Sequence, residues 1–311
     1  DCSEALAFGL GEGLFFAYLP FLRVNNLPLT TYRSSVGSIF KKVNRKFGAL
    51  VEKKRFKSKR KASLELDEKL KNGIPVGCQT GAYWLPYFPP AFRFHFNMHN
   101  LVVIGKEDDE YIISDPVFEH LVRCKEVDLL KARFAKGALA PSGTMYHIKR
   151  VNHDNQINLD KEIKKGLLAI HKIMVNNPVP ILGTKGMRFL ASRMERWPSK
   201  LGEDLAILHL GQLIRMQEEI GTGGGGFRYM YAAFLQESSN ITGNENFREF
   251  SDRMTLIGDH WRDFAVSGAR ICKGRAKEDD NFYNLSERLR KCASLEAELF
   301  TDVANLAKTI A

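Results

Sequence analysis

The chain has 311 residues, 44% of them hydrophobic and 26% charged, and a formal net charge of +10. That is the make-up of an ordinary globular protein with enough length for two cores. No stretch reaches the ~20 uncharged apolar residues of a membrane-crossing helix and neither end has the pattern of a signal peptide, so no membrane span and a cytoplasmic location are expected.

Residues 8–48 are apolar and glycine-rich, with the phrase FGLGEG carrying Gly9, Gly11 and Gly13. A dinucleotide-binding loop needs a strand before such glycines and a crossover helix after them. Here FFAYLPFL and LPLTTYR follow, which read as strands, so the glycines are expected to permit close packing or a tight turn. Between residues 41 and 61 lie eleven Lys or Arg against one acid, Glu52. Such a run suits a solvated face, a nucleic-acid patch or a dock for an acidic partner. No helix-turn-helix, zinc-finger or aromatic RNA-binding signature accompanies it, which sets nucleic acid aside. A helix is expected over residues 62–71, stopped by Asn72-Gly73. IPVGCQT then reads as a buried strand and YWLPYFPP as a loop punctuated by prolines. NLVVIG, the charged turn EDDE and residues 111–113 form a hairpin that ends at Asp115-Pro116, and TMYHIKR is one more strand. Residues 1–150 are therefore expected to be a mixed half with an antiparallel sheet.

After Asn152 the apolar period lengthens. Ile163, Leu167, Ile170 and Met174 recur at helical spacing, as do Leu205, Leu208, Leu213, Met216 and Ile220. The stripe Phe247, Phe250, Met254, Ile257, Trp261 and Phe264 marks a third helix, and Leu285, Leu289, Cys292, Leu299, Val303, Leu306 and Ile310 a last one. Residues 151–311 are expected to form an all-α bundle with these stripes as its core. The run of glycines at 223–226, just before a helix at 229–237, has two readings. Gly223, Gly224, Gly225 and Arg228 are candidates to cradle an anion, or the glycines form a flexible or tightly packed hinge between two helices. No P-loop lysine follows.

The five cysteines, Cys2, Cys78, Cys124, Cys272 and Cys292, are odd in number and form no CxxC pair, so neither zinc nor a thioredoxin-like motif is signalled. His95 and His99 lack a third ligand nearby, and no metal site is expected. His99 opens the first strand of the hairpin and Asp115 follows the second, so antiparallel pairing brings them to one end of the sheet. One reading is a strand-initiating His and a turn-forming Asp. The other is a His–Asp pair, in which the carboxylate sets the imidazole tautomer while the other ring nitrogen handles a nucleophile's proton.

Four blocks, in order, resemble one family. SEALAFGLGEGLFFAY, GIPVGCQTGAYWLPYFP and FHFNMHNLVVIGKEDDEYIISDP are similar to the butirosin biosynthesis protein H family, and GTGGGGFRYMYAAFLQES with DHWRDFA looks like the helical domain that usually follows. The resemblance implies an α+β fold: a papain-like N-terminal domain close to the C39 peptidases, followed by the helical bundle. It implies acyl transfer from the phosphopantetheine thioester of an acyl carrier protein to an amine acceptor through a cysteine thioester. No cofactor is expected beyond the phosphopantetheine on the carrier. His99 would be base and then acid, and Asp115 would orient it. The family's nucleophilic cysteine lies in a His-Cys phrase upstream of the first block, in the first helix, and is expected before Asp1. The alternatives are that Cys2 has taken the role with shifted geometry, or that the protein has no nucleophile and binds carriers only. A cysteine hydrolase or peptidase on the same fold is the other enzymatic reading. Gln79 is a candidate oxyanion donor, and Lys53, Lys54 and Arg55 are candidates to steer an acidic carrier protein.

Overall fold

The computed structural model describes residues 2–24, 26–152, 156–220 and 223–309. In chain order the elements are α1 (Glu4–Leu10), β1 (Leu14–Val24), β2 (Leu27–Arg33), α2 (Val36–Lys46), β3 (Ala49–Lys54), α3 (Lys59–Lys71), β4 (Val76–Thr80), β5 (His99–Glu107), β6 (Glu110–Ser114), β7 (Val122–Lys125), α4 (Glu126–Arg133), β8 (Met145–Val151), α5 (Leu159–Met174), α6 (Gly183–Met194), α7 (Trp197–Leu201), α8 (Glu203–Glu218), α9 (Arg228–Thr242), α10 (Asn246–Cys272) and α11 (Phe282–Thr309). The fold is α+β, with antiparallel sheets and a helical C-terminal part. Ile310, the last residue of the expected apolar stripe, lies outside the described residues, as do Gly221 and Thr222.

The chain divides into two compact units: residues up to Lys46 join those from Gln156 onward, and the stretch opening at Phe47 forms the other. The apolar periodicity changes near residue 150, but the first elements pack with the helical part. The reason is aromatic. Phe16 of β1 and Tyr32 of β2 meet the buried Trp261 of α10 at 6.0 and 5.5 Å between ring centroids. Burying rings of this size contributes about 1.5–3 kcal/mol each. The β1–β2 ribbon is thus an element of the helical core, which a two-stranded sheet needs to be stable.

Within that unit α1 opens on Ser3, whose hydroxyl accepts the Leu6 N–H at 2.9 Å, the usual use of serine at an N-cap. The FGLGEG glycines permit close packing: a Cβ at Gly9 would lie 2.2 Å from the Phe234 ring, and one at Gly13 2.4 Å from Phe8. The expected helices appear as α5, α8, α9, α10 and α11, and Cys292 is fully buried in the stripe of α11.

The second unit is a six-stranded antiparallel sheet in the order β3-β8-β4-β5-β6-β7. Side chains alternate between faces with period two. Val76 and Cys78, Leu101 and Val103, Tyr111 and Ile113, Val122 and Cys124, and Met145 therefore share one buried face. Leu66 of α3, Leu129 and Ala132 of α4, and Leu85 and Phe88 of the loop after β4 complete that core. Helix α3 begins three residues before the expected start, because the Ser58 hydroxyl caps it by accepting the Lys61 N–H at 3.3 Å.

Candidate active site

His99 and Asp115 sit on the core face because they share parity with Leu101 and Val103 on β5 and with Tyr111 and Ile113 on β6. Val102 pairs with Ser114, so Asp115 lies one step beyond the ladder and diagonal to His99. Diagonal neighbours are within reach of a His and an Asp side chain. The structure brings them together, with His99 Nε2 2.7 Å from Asp115 Oδ2. The carboxylate is fully buried, while the imidazole keeps 12% of its side-chain surface exposed.

Every oxygen of Asp115 is held. The Tyr87 hydroxyl donates to Oδ2 at 2.8 Å and the Val117 N–H to Oδ1 at 3.0 Å. Burial, and then the charge of Asp115, push the Tyr87 phenol well above its ordinary range, so it stays a donor. Phe88 meets the His99 ring edge-on at 5.2 Å, and Phe118 packs on both Tyr87 and Phe88. With Nε2 engaged and the ring fixed, Nδ1 is left for proton transfer; this is the arrangement in which a carboxylate fixes tautomer and orientation. Tyr87 was not legible as a site residue: it lies in the proline-punctuated loop, and its partner is 28 positions along the chain. The prolines at 86, 89 and 90 were the available signal, since they stiffen the loop that delivers it.

Gln79 lies on β4 opposite Asn100. Its amide N–H groups donate to Asn97 O at 2.9 Å and Leu139 O at 3.4 Å. Those donors tie the strand to the loop before His99 and to the loop after α4, so Gln79 serves the site's framework and its amide is not directed to an oxyanion.

The cysteines divide by burial. Cys78, Cys124 and Cys292 are buried, Cys272 is partly so and Cys2 is exposed. Burial pushes the Cys124 and Cys292 thiols up to about 12. The Cys2 thiol is also raised, first by partial burial and then by Glu237, a direction opposite to thiolate activation. Cys2 belongs to the unit built on α1, whereas the His–Asp pair belongs to the sheet unit. Among the described residues no cluster of His, Cys, Asp or Glu is arranged to hold a metal.

The glycine run is closely packed at Gly224, Gly225 and Gly226, while a Cβ at Gly223 would meet nothing within 4 Å. Gly223, Gly224, Gly225 and Gly226 all have positive φ, and a Cβ at Gly226 would lie 2.6 Å from the Tyr32 ring. The loop meets a carboxylate of the chain itself, since Gly225 N donates to Glu218 Oε1 at 3.0 Å. Arg228 is fully buried and bidentate to Glu296, at 2.8 and 3.0 Å, and it donates to Gly226 O at 2.7 Å. Trp261 Nε1 gives a third donor to Glu296. The guanidinium therefore holds the core together and does not face a ligand, which corrects the anion-cradle expectation for Gly225 and Arg228.

The basic run is split between the two units, residues 41–46 in α2 and residues 53–61 on β3, α3 and the turn between them. Lys54 pairs with Glu52 at 2.9 Å and Glu65 at 2.5 Å. Lys53 and Arg55 are exposed.

Residues 127–303, more than half of the chain, match the model of a domain of unknown function, DUF4872. Residues 1–116 match the model of the N-terminal region of butirosin biosynthesis protein H. No curated protein matches the chain. A crystal structure described as a C39-like peptidase from Bacillus anthracis aligns at 17% identity over 40% of this chain, with a TM-score of 0.26. The chain spans 64% of the length of that peptidase chain.

Proposed function

We propose that this chain, which belongs to the DUF4872 family and carries the butirosin biosynthesis protein H N-terminal region ahead of that domain, moves an acyl group from a carrier-bound thioester to an amine through a cysteine thioester. The observation that carries the reading is the buried Asp115 fixed 2.7 Å from His99 Nε2, with Tyr87 and Val117 holding its oxygens. Such a pair costs desolvation, and buried, partnered titratable groups of this kind recur at catalytic sites. The family match supports a papain-like cysteine enzyme, and the finer assignment to carrier thioesters is our reading.

In this reading a cysteine thiol gives its proton to His99 Nδ1 and the thiolate adds to the thioester carbonyl. The tetrahedral adduct collapses, the bond to the carrier's pantetheine sulfur breaks, and that sulfur leaves with the proton from His99. The amine then adds to the acyl-cysteine and passes a proton to His99. The cysteine sulfur departs and is reprotonated. Asp115 stabilises the imidazolium in each half. The exposed cations Lys53 and Arg55 suit approach of an acidic carrier protein.

The test is intact-protein mass spectrometry of the gene product incubated with acyl-loaded carrier proteins, followed by digestion. The expected result is an acyl adduct on one cysteine, discharged by an amine and abolished by His99→Ala. Carrier binding without an adduct on any cysteine would overturn the catalytic reading in favour of a carrier-binding protein. Turnover of peptides in place of carrier thioesters would identify a peptidase.

A further inference from the structure

The loop between β4 and β5 leaves the sheet at the end that carries His99, and it displays an aromatic and cationic cluster that the chemistry above leaves unused. A single 3-10 turn, Ala82–Trp84, follows β4 directly, and the last residue of β4, Thr80, pairs with His99. The turn is pinned at that end of the sheet. Ala82 N donates to Phe96 O at 2.9 Å, and a Cβ at Gly81 would lie 3.6 Å from Trp84 Cδ1 and 2.7 Å from Asn97 Oδ1. Tyr83 stacks on His95 at 4.2 Å and meets Trp84 edge-on at 5.1 Å. Arg93 lies over the Tyr83 ring at 5.8 Å, and its Nε donates to Tyr83 O at 3.2 Å.

Trp84 is 38% exposed, although the other two tryptophans, Trp197 and Trp261, are 6% and 0% exposed. Holding this large ring at the surface forgoes burial that the other two tryptophans obtain. Arg93 is exposed, and among the described residues it has no carboxylate partner. Its Nε bond to Tyr83 O orients the guanidinium fork and leaves the terminal N–H groups for an anion. A flat apolar face and an oriented guanidinium, placed at the end of the sheet that carries His99, fit an extended thioester arm that bears a phosphodiester. A cationic amine acceptor would be repelled by Arg93, so this side of the site belongs to the donor.

Resting on the acyl-transfer reading, we propose that Trp84 and Arg93 bind the donor's phosphopantetheine arm, with Trp84 covering the pantetheine chain, Arg93 pairing with the phosphate, and Tyr83 and His95 as the scaffold that positions both. Trp84 and Arg93 are thus specificity residues for the donor, separate from the proton chemistry of His99.

Trp84 fluorescence supplies a readout independent of catalysis, because the other two tryptophans are buried. The full chain is titrated with 4′-phosphopantetheine and with pantetheine, which lacks the phosphate. The expected result is saturable quenching with phosphopantetheine bound about tenfold or more tightly than pantetheine. Arg93→Ala should erase that difference while leaving pantetheine binding as it was, and Trp84→Phe should remove the quenching. In turnover, Arg93→Ala should raise KM for the carrier thioester and leave KM for the acceptor unchanged. Equal binding of the two probes, no binding of either, or an Arg93→Ala variant that still prefers the phosphate would overturn the proposal. Acyl adduct formation without phosphate preference would sink this site and leave the acyl-transfer reading standing. Phosphate-dependent binding without any adduct would do the reverse.

Discussion

Asp115 Oδ2 lies 2.7 Å from His99 Nε2 and at the same time accepts the Tyr87 hydroxyl at 2.8 Å, so one buried oxygen holds both rings. Replacing Asp115 by Asn keeps the volume but offers an N–H to Nε2 and so favours the wrong tautomer. Asp115→Asn is expected to lower the acyl-transfer rate by about 10²–10⁴-fold with the fold retained, as checked by single-turnover acylation and circular dichroism. Tyr87→Phe removes one donor to the charged carboxylate, an interaction of about 1.5–3 kcal/mol, and is expected to cost roughly tenfold or more in rate.

The Arg228–Glu296 pair is fully buried, with Trp261 Nε1 as an added donor to the carboxylate. Breaking one partner strands a charge in an apolar core, which costs about 3–5 kcal/mol. Glu296→Gln should therefore lower the urea midpoint sharply. Arg228→Met combined with Glu296→Leu should recover much of the loss, since neither charge then needs solvation. Equal losses in the single and double variants would show that the packing around Trp261, and not the stranded charge, sets the cost.

His147 contributes a pH dependence with a definite sign. Burial, and then Lys69, hold its imidazole below the ordinary value of 6.5, with Lys54 acting in the same direction and Glu52 and Glu65 opposing. A depressed basic group is bound neutral in the fold, so its contribution is complete above its unfolded value. As pH falls below about 6.5 the unfolded chain protonates first, and stability declines until the folded imidazole also protonates. Denaturation midpoints between pH 8 and pH 5 should fall with acidification, and His147→Gln should flatten part of that slope. His171 and His209 are lowered as well, both chiefly by burial, and act in the same direction.

Lys53 on β3 and Arg55 just after it are exposed, while Lys54 is engaged by Glu52 and Glu65. Lys53→Glu with Arg55→Glu is expected to slow association with an acidic carrier protein by about tenfold or more at low salt and to remove much of the salt dependence. Stopped-flow binding at two ionic strengths measures this. Unchanged association would leave the basic strand as a solvated face.

The amino-acid sequence by itself determined the features whose signal is local. Helical spacing along residues 163–174, 247–264 and 285–306 placed α5, α10 and α11, because a 3.6-residue period needs no knowledge of what it packs on. The two-residue alternation of the hairpin, together with its turn, set His99 and Asp115 on one face at one end, and antiparallel register then left them little choice of neighbour. Other elements were silent for physical reasons. Strand β3, ALVEKK, is an edge strand whose exposed charges hide its alternation, and α2 buries no residue fully.

What only the tertiary structure decided are partnerships across long chain separations. Arg228 and Glu296 are 68 positions apart and Tyr87 and Asp115 are 28; neither pair leaves a periodic trace. The glycine run before Arg228 was compatible with an anion cradle until the buried Glu296 was seen to claim the guanidinium. The ribbon β1–β2 has the alternation of any sheet, and its membership in the helical unit rests on Phe16 and Tyr32 reaching Trp261. A sequence specifies which residues are apolar and at what spacing. Which distant ring fills a given gap depends on the packing of all of them at once.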